Sequence, residues 1–154
     1  MKKIAVILLV VAMVLALTAC GAESTVVLRG DMTDDMGGIP ATDTWTLNAK
    51  GDVVKSLTEV FELDLSDYDK ETRDYFVALF EEYYLEPSEG IDGVECVSRM
   101  DGNALILELT VECKGDTVKK AVEARLLEVD GGTDVISLKE TRSALEKQGY
   151  EVVK

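Results

Sequence analysis

Two alternating runs on either side of Asp101-Gly102 constrain this chain more than any other feature. Residues 94–100 (VECVSRM) and 105–113 (LILELTVEC) each place an apolar or small residue at every second position. That period belongs to a strand with one buried face, and Asp-Gly between two such runs is a strong signal for a two-residue hairpin turn. Pairing Met100 with Asn103 on this basis sets Cys96 opposite Leu107, Val94 opposite Leu109 and Ser98 opposite Leu105. Val94, Cys96, Ser98, Met100, Leu105, Leu107, Leu109, Val111 and Cys113 then share one face, with Glu95, Arg99, Glu108, Thr110 and Glu112 on the other. The expected unit is an antiparallel pair with one buried side.

A second hairpin precedes it. From residue 25 to residue 63 the chain reads mainly as strand, interrupted at 34–40 by a loop containing Gly37-Gly38 and Pro40. Thr42, Thr44 and Thr46 alternate with Trp45 and Leu47, and Lys50-Gly51-Asp52 supplies turn chemistry. A two-residue Lys50-Gly51 turn and a three-residue turn with a bulge bring opposite faces together, and the pattern does not choose between them.

Helices fill the gaps. Ser66 or Asp69 can cap a helix on which Tyr75, Phe76, Leu79, Phe80 and Tyr83 recur at helical spacing, ended by Pro87, Ser88 and Gly90. Val118, Ala121, Val122, Leu126 and Val129 make a second amphipathic stretch, stopped by Gly131-Gly132. Ser137 and Glu140 form a capping box for a last helix through about Gln148, with Gly149 as its stop and residues 150–153 as an edge strand. The expected class is α+β: an antiparallel sheet of two hairpins packed against two to three helices.

The N-terminus speaks to location. Lys2 and Lys3 precede fourteen uncharged apolar residues, 4–17, too short for a hydrocarbon core that needs about 20. The length and flanks are those of a secretory signal. Leu17-Thr18-Ala19-Cys20 then matches a bacterial lipobox, in which the cysteine thiol takes a diacylglyceryl group and becomes the first residue. Residues 1–19 are thus read as a lipoprotein signal peptide, 20–25 as lipidated Cys20 and its tether, and 26–154 as one domain. The partner implied is a membrane, held through Cys20 on the extracytoplasmic side of the cell envelope.

Charge and composition exclude several functions. The full chain carries a formal charge of −14, and removing Lys2 and Lys3 with the signal leaves −16 over 135 residues. Such a surface argues against nucleic acid. No histidine occurs, so Ser-His-Asp and Cys-His catalysis and histidine-containing zinc sites are out of reach. Neither acidic stretch, at 31–35 or 64–69, has the spacing of a calcium loop. No metal or cofactor is expected. In the hairpin register above, the partner of Cys96 lies six residues from Cys113. That offset is about 20 Å along a strand, against about 7 Å for a bridged pair, so both thiols are expected free.

The order of elements, with "KGDVV" at 50–54, "GIDGV" at 90–94 and "ISLKETRSALEKQGYEVVK" at 136–154, resembles the YehR-like small lipoproteins of bacteria. That resemblance implies an α+β domain and carries over no catalytic residue. The favoured function is a membrane-anchored, non-catalytic binding or scaffold module, for an envelope protein or a small ligand. Alternatives are a small enzyme using carboxylates or tyrosines, and a ligand-binding accessory subunit. Trp45, Tyr83 and Tyr84 are the candidate recognition surface, where the aromatic helix meets its sheet.

Overall fold

The computed structural model describes residues 21–129 and 135–153. Cys20 and the signal segment, Gly131-Gly132 and Lys154 lie outside the described residues. Three strands come first, β1 (Glu23–Asp31), β2 (Ala41–Lys50) and β3 (Val53–Asp64). Helix α1 (Lys70–Phe80) follows, running into a π-helical turn (Glu81–Leu85) and a last helical turn (Glu86–Ser88). Then come β4 (Val94–Asp101), β5 (Ala104–Glu112), α2 (Thr117–Glu123), α3 (Leu138–Lys147) and β6 (Glu151–Val152). All pairings are antiparallel, and the six strands form one open sheet in the order β4-β5-β3-β2-β1-β6. This is an α+β fold, as the alternation and capping patterns predict.

Both hairpin turns differ from the sequence expectation in the same way. In the second hairpin Asp101 pairs with Ala104, so the loop is Gly102-Asn103 and Cys96 faces Leu109. The first closes Lys50 on Val53 around Gly51-Asp52. Each places glycine at the first central position, where a type II′ turn needs positive φ, and Gly51 and Gly102 have φ of 62° and 61°. The second hairpin's register moves by two residues, so its faces survive intact. The first also bulges beside Asn48 and Ala49, which lets Val54 and Leu57, three apart, both point inward.

Two element bounds also differ. Strand β1 begins at Glu23, inside the segment read as a tether, because Glu23 pairs with Lys50. Helix α2 stops near Ala124 instead of reaching Val129. Arg125 takes a φ of 62° and donates its N–H to Val122, while the Leu126 N–H reaches Ala121. That is the Schellman closure, and it swings Leu126 and Leu127 into the core. The caps match better. Asp69 accepts from the Thr72 N–H at 2.8 Å and Ser137 from the Glu140 N–H at 3.2 Å, whereas Ser66 serves a turn with Asp64.

One sheet face carries the helices, and its apolar core is in two parts. Ala41, Leu63, Leu65, Leu105 and Leu107 pack with Phe80 of α1. Leu28, Leu47, Leu57, Leu109 and Val111 pack with Val118 of α2, Leu145 of α3 and the segments around them.

Candidate functional site

Where the two apolar clusters meet, the buried face carries two carboxyl groups, Asp43 and Glu59. Strand pairing lines up Leu28, Trp45, Glu59, Leu109 and Cys96 in one row across the sheet. The next row holds Gly30, Asp43, Phe61, Leu107 and Ser98. Asp43 and Glu59 therefore sit diagonally on neighbouring strands, side chains to the same face, within reach of each other's charge. Tyr84 enters from the π-helical turn, its ring centroid 5.7 Å from that of Phe80. Tyr150 enters from the segment between α3 and β6.

Asp43 is held from two sides. Its Oδ2 accepts from the Trp45 indole Nε1 at 2.7 Å and from the Tyr150 hydroxyl at 2.6 Å. Its other oxygen, Oδ1, is enclosed without a hydrogen-bond partner among the described residues, although the residue is only 3 % exposed. Burial raises the Asp43 pKa against the pull of Tyr150, Trp45 and the backbone N–H of Thr44. Glu59 is half-buried, and burial, reinforced by the charge of Asp43, pushes its carboxyl up to about 8. Glu59 therefore keeps its proton at neutral pH.

The position of Tyr150 depends on a glycine. A Cβ on Gly30 would lie 2.9 Å from the Tyr150 ring, so only a bare backbone lets the ring lie over β1 and reach Asp43. Burial raises the hydroxyl pKa of Tyr150, and its bond to Asp43 adds to the shift. Burial also raises Tyr84, with Glu59 and Asp43 contributing next. The half-buried thiols of Cys96 and Cys113 are free and pushed up to about 11, chiefly by burial. Neither has the thiolate character of a nucleophile at neutral pH.

Of the residues singled out in the sequence, Trp45 and Tyr84 reach this seam, both half-buried. Tyr83, 62 % exposed, stands in solvent one residue from Tyr84. Asp43, Glu59 and Tyr150 were not among the candidates, yet the sequence carries a signal for two of them. Strict alternation places Asp43 with Trp45 and Leu47, and Glu59 with Leu57, Phe61 and Leu63, on the inward face. Tyr150 had only its place in "QGYEVVK". Among the described residues no three Cys, Asp or Glu converge as metal ligands. A separate open concavity of about 380 Å³ lies between β1 and α3, lined by Val26, Leu138, Lys139 and Arg142 among others.

An open antiparallel sheet with its helices on one face defines the class, and solved structures share it. The NMR structure of the E. coli YehR protein aligns with a TM-score of 0.60 at 13 % identity, over 87 % of this chain and 93 % of that one. The NMR structure of a protein from Streptococcus pneumoniae TIGR4 aligns with a TM-score of 0.57 at 17 % identity, over 85 % of each chain. At these identities the likeness is one of fold, and the fold is YehR-like. No protein-family profile matches the chain, and no curated protein matches it.

Proposed function

We propose that the chain is a YehR-like bacterial lipoprotein, anchored through Cys20 to the outer side of a membrane, and that its domain is a non-catalytic binding module. The anchor reading is supported by the sequence from Lys2 to Cys20. The binding reading is carried by one observation: Trp45 and Tyr84 meet an inward-facing acid pair in a seam where one Asp43 oxygen has no well-aligned donor among the described residues. Aromatic anchors beside unsatisfied polar groups are what recognition sites are made of.

A second reading places an acid–base enzyme on the same pair. It is favoured by Glu59, whose carboxyl, pushed up to about 8, is poised as a general acid. Both thiols are too basic to serve as its nucleophile, which weighs toward binding.

Labelled-lipid feeding and mass spectrometry of the N-terminus test the anchor, with acylated Cys20 expected. Retention of membrane attachment by Cys20→Ala would contradict it. A photo-crosslinking residue at position 84, in intact cells, is expected to trap a specific partner that the same residue at exposed position 75 does not. Turnover of an envelope substrate, abolished by Glu59→Gln with the fold intact, would replace the binding reading by the enzymatic one.

A further inference from the structure

We propose that the seam between Asp43 and Glu59 is a receptor for the terminal ammonium of an alkylamine, seated beside Trp45 and Tyr84. This deepens the binding-module reading and rests on it. The seam gathers titratable groups from every element around it except β1 and β5, which contribute Leu28, Gly30, Leu107 and Leu109. β2 brings Asp43, β3 Glu59, β4 Cys96, the π-helical turn Tyr84, and the segment before β6 Tyr150. The charges that act on these groups are each other's, and all five are acids. A buried charge is ordinarily matched by an opposite one, and among the described residues no cation acts on Asp43 or Glu59.

A second observation says that something is missing. Asp43 is 3 % exposed, and its enclosed Oδ1 has no well-aligned donor among the described residues, the nearby Thr44 N–H pulling on the carboxyl without a well-formed bond to it. Native proteins leave few such atoms, because an unpaired buried acceptor costs about 1–3 kcal/mol. An ammonium brings three N–H donors and a full positive charge, enough for Oδ1 and the Glu59 carboxylate together. The alkyl chain and the charge both suit aromatic neighbours, the charge through the ring quadrupole. Glu59, Trp45 and Tyr84 each keep part of their surface in solvent, so an incoming ammonium meets Glu59 first and reaches the enclosed Oδ1 only as these side chains part. A divalent metal fits less well, since calcium takes six to eight oxygens and only two carboxyl groups converge here.

The proton ledger fixes a signature. Without a cation Glu59 holds its proton; when the ammonium enters, Glu59 releases that proton to solvent and the carboxylate pairs with the cation. Affinity should therefore weaken about tenfold for each pH unit below about 8, where Glu59 must first be deprotonated.

Calorimetry on the purified domain tests this with n-butylammonium, N-acetyl-lysine methylamide, n-butanol and calcium chloride as probes. The two amines are expected to bind, at least tenfold more tightly at pH 8.5 than at pH 6.5, with one proton released at the lower pH. A stronger response to the lysine derivative assigns the ammonium to a polypeptide side chain, and a stronger one to butylammonium assigns it to a free amine. Glu59→Gln, close in shape to the protonated wild type, should fold normally and lose the pH dependence along with most of the affinity. Butanol binding as well as the amine, calcium binding in its place, or an unchanged Glu59→Gln would overturn the proposal. If the amines fail while crosslinking at position 84 still captures a partner, the ligand class is wrong and the binding module stands.

Discussion

Gly30, Asp43, Glu59 and Tyr150 depend on one another at the scale of single side chains. Tyr150 lies over Gly30 because no Cβ is there, and from that position its hydroxyl supplies one of the two donors to Asp43 Oδ2. Gly30→Ala should displace the ring and destabilise the domain by about 1–3 kcal/mol, a typical effect of overpacking. Tyr150→Phe leaves the ring in place but removes a donor from a buried carboxylate, with a loss of similar size. Chemical denaturation of both variants checks this, and wild-type stability in either would mean that the contact does not hold the seam. The inward placement of Asp43 and Glu59 was legible in the alternation of their strands. Their role was not, because a single sequence shows which way a carboxyl points without showing what stands opposite. Nothing local to Tyr150 marks it as a partner of Asp43, 107 residues away.

Turns were the least legible features at the scale of elements. Asp52 shows why. Read along the chain it is turn chemistry, yet its Oδ2 accepts from the Ser137 hydroxyl at 2.8 Å and its Oδ1 from the Lys139 N–H at 2.8 Å. A loop residue of the first hairpin thus caps the first turn of α3, 87 residues away. The Lys139 N–H bond holds the Asp52 pKa below the usual carboxylate range. A depressed pKa means a contribution present above the ordinary value and lost as the pH falls through the lowered one. Asp52→Ala is expected to fray the start of α3, seen as faster amide exchange at Lys139 and Glu140 with little change in β3. Unchanged exchange there would show that Ser137 alone sustains the cap. By contrast, the faces of β4 and β5 were largely legible, with Met100 on the inner face left exposed near the turn and Ile106 on the outer face buried. A register error of two residues preserves which side each residue is on, and even the separation of the cysteines survives. Four residues along the strand still leave about 14 Å, too far to bridge.

At the scale of the whole molecule, two apolar clusters hold the helices on one sheet, and the acid pair lies between them. The elements and their order follow from periodicity and capping, whereas the division of the core depends on long-range pairing that no local pattern contains. The division affects stability. Glu59 binds its proton more tightly folded than unfolded, so the stabilisation is complete below its ordinary pKa of 4.5 and is lost as the pH rises toward about 8. Each pH unit in that window removes at most about 1.4 kcal/mol. Glu59→Gln should flatten this decline, and an unaltered slope would place its cause in other groups. The central claim is that the seam holds a carboxyl kept neutral by burial and by Asp43, awaiting a positive charge. Carbon-13 NMR titration of the Glu59 carboxyl tests it most directly. A midpoint near 8, falling when n-butylammonium is added, is the result expected; a midpoint in the ordinary range of about 4–5, unmoved by the amine, would contradict it.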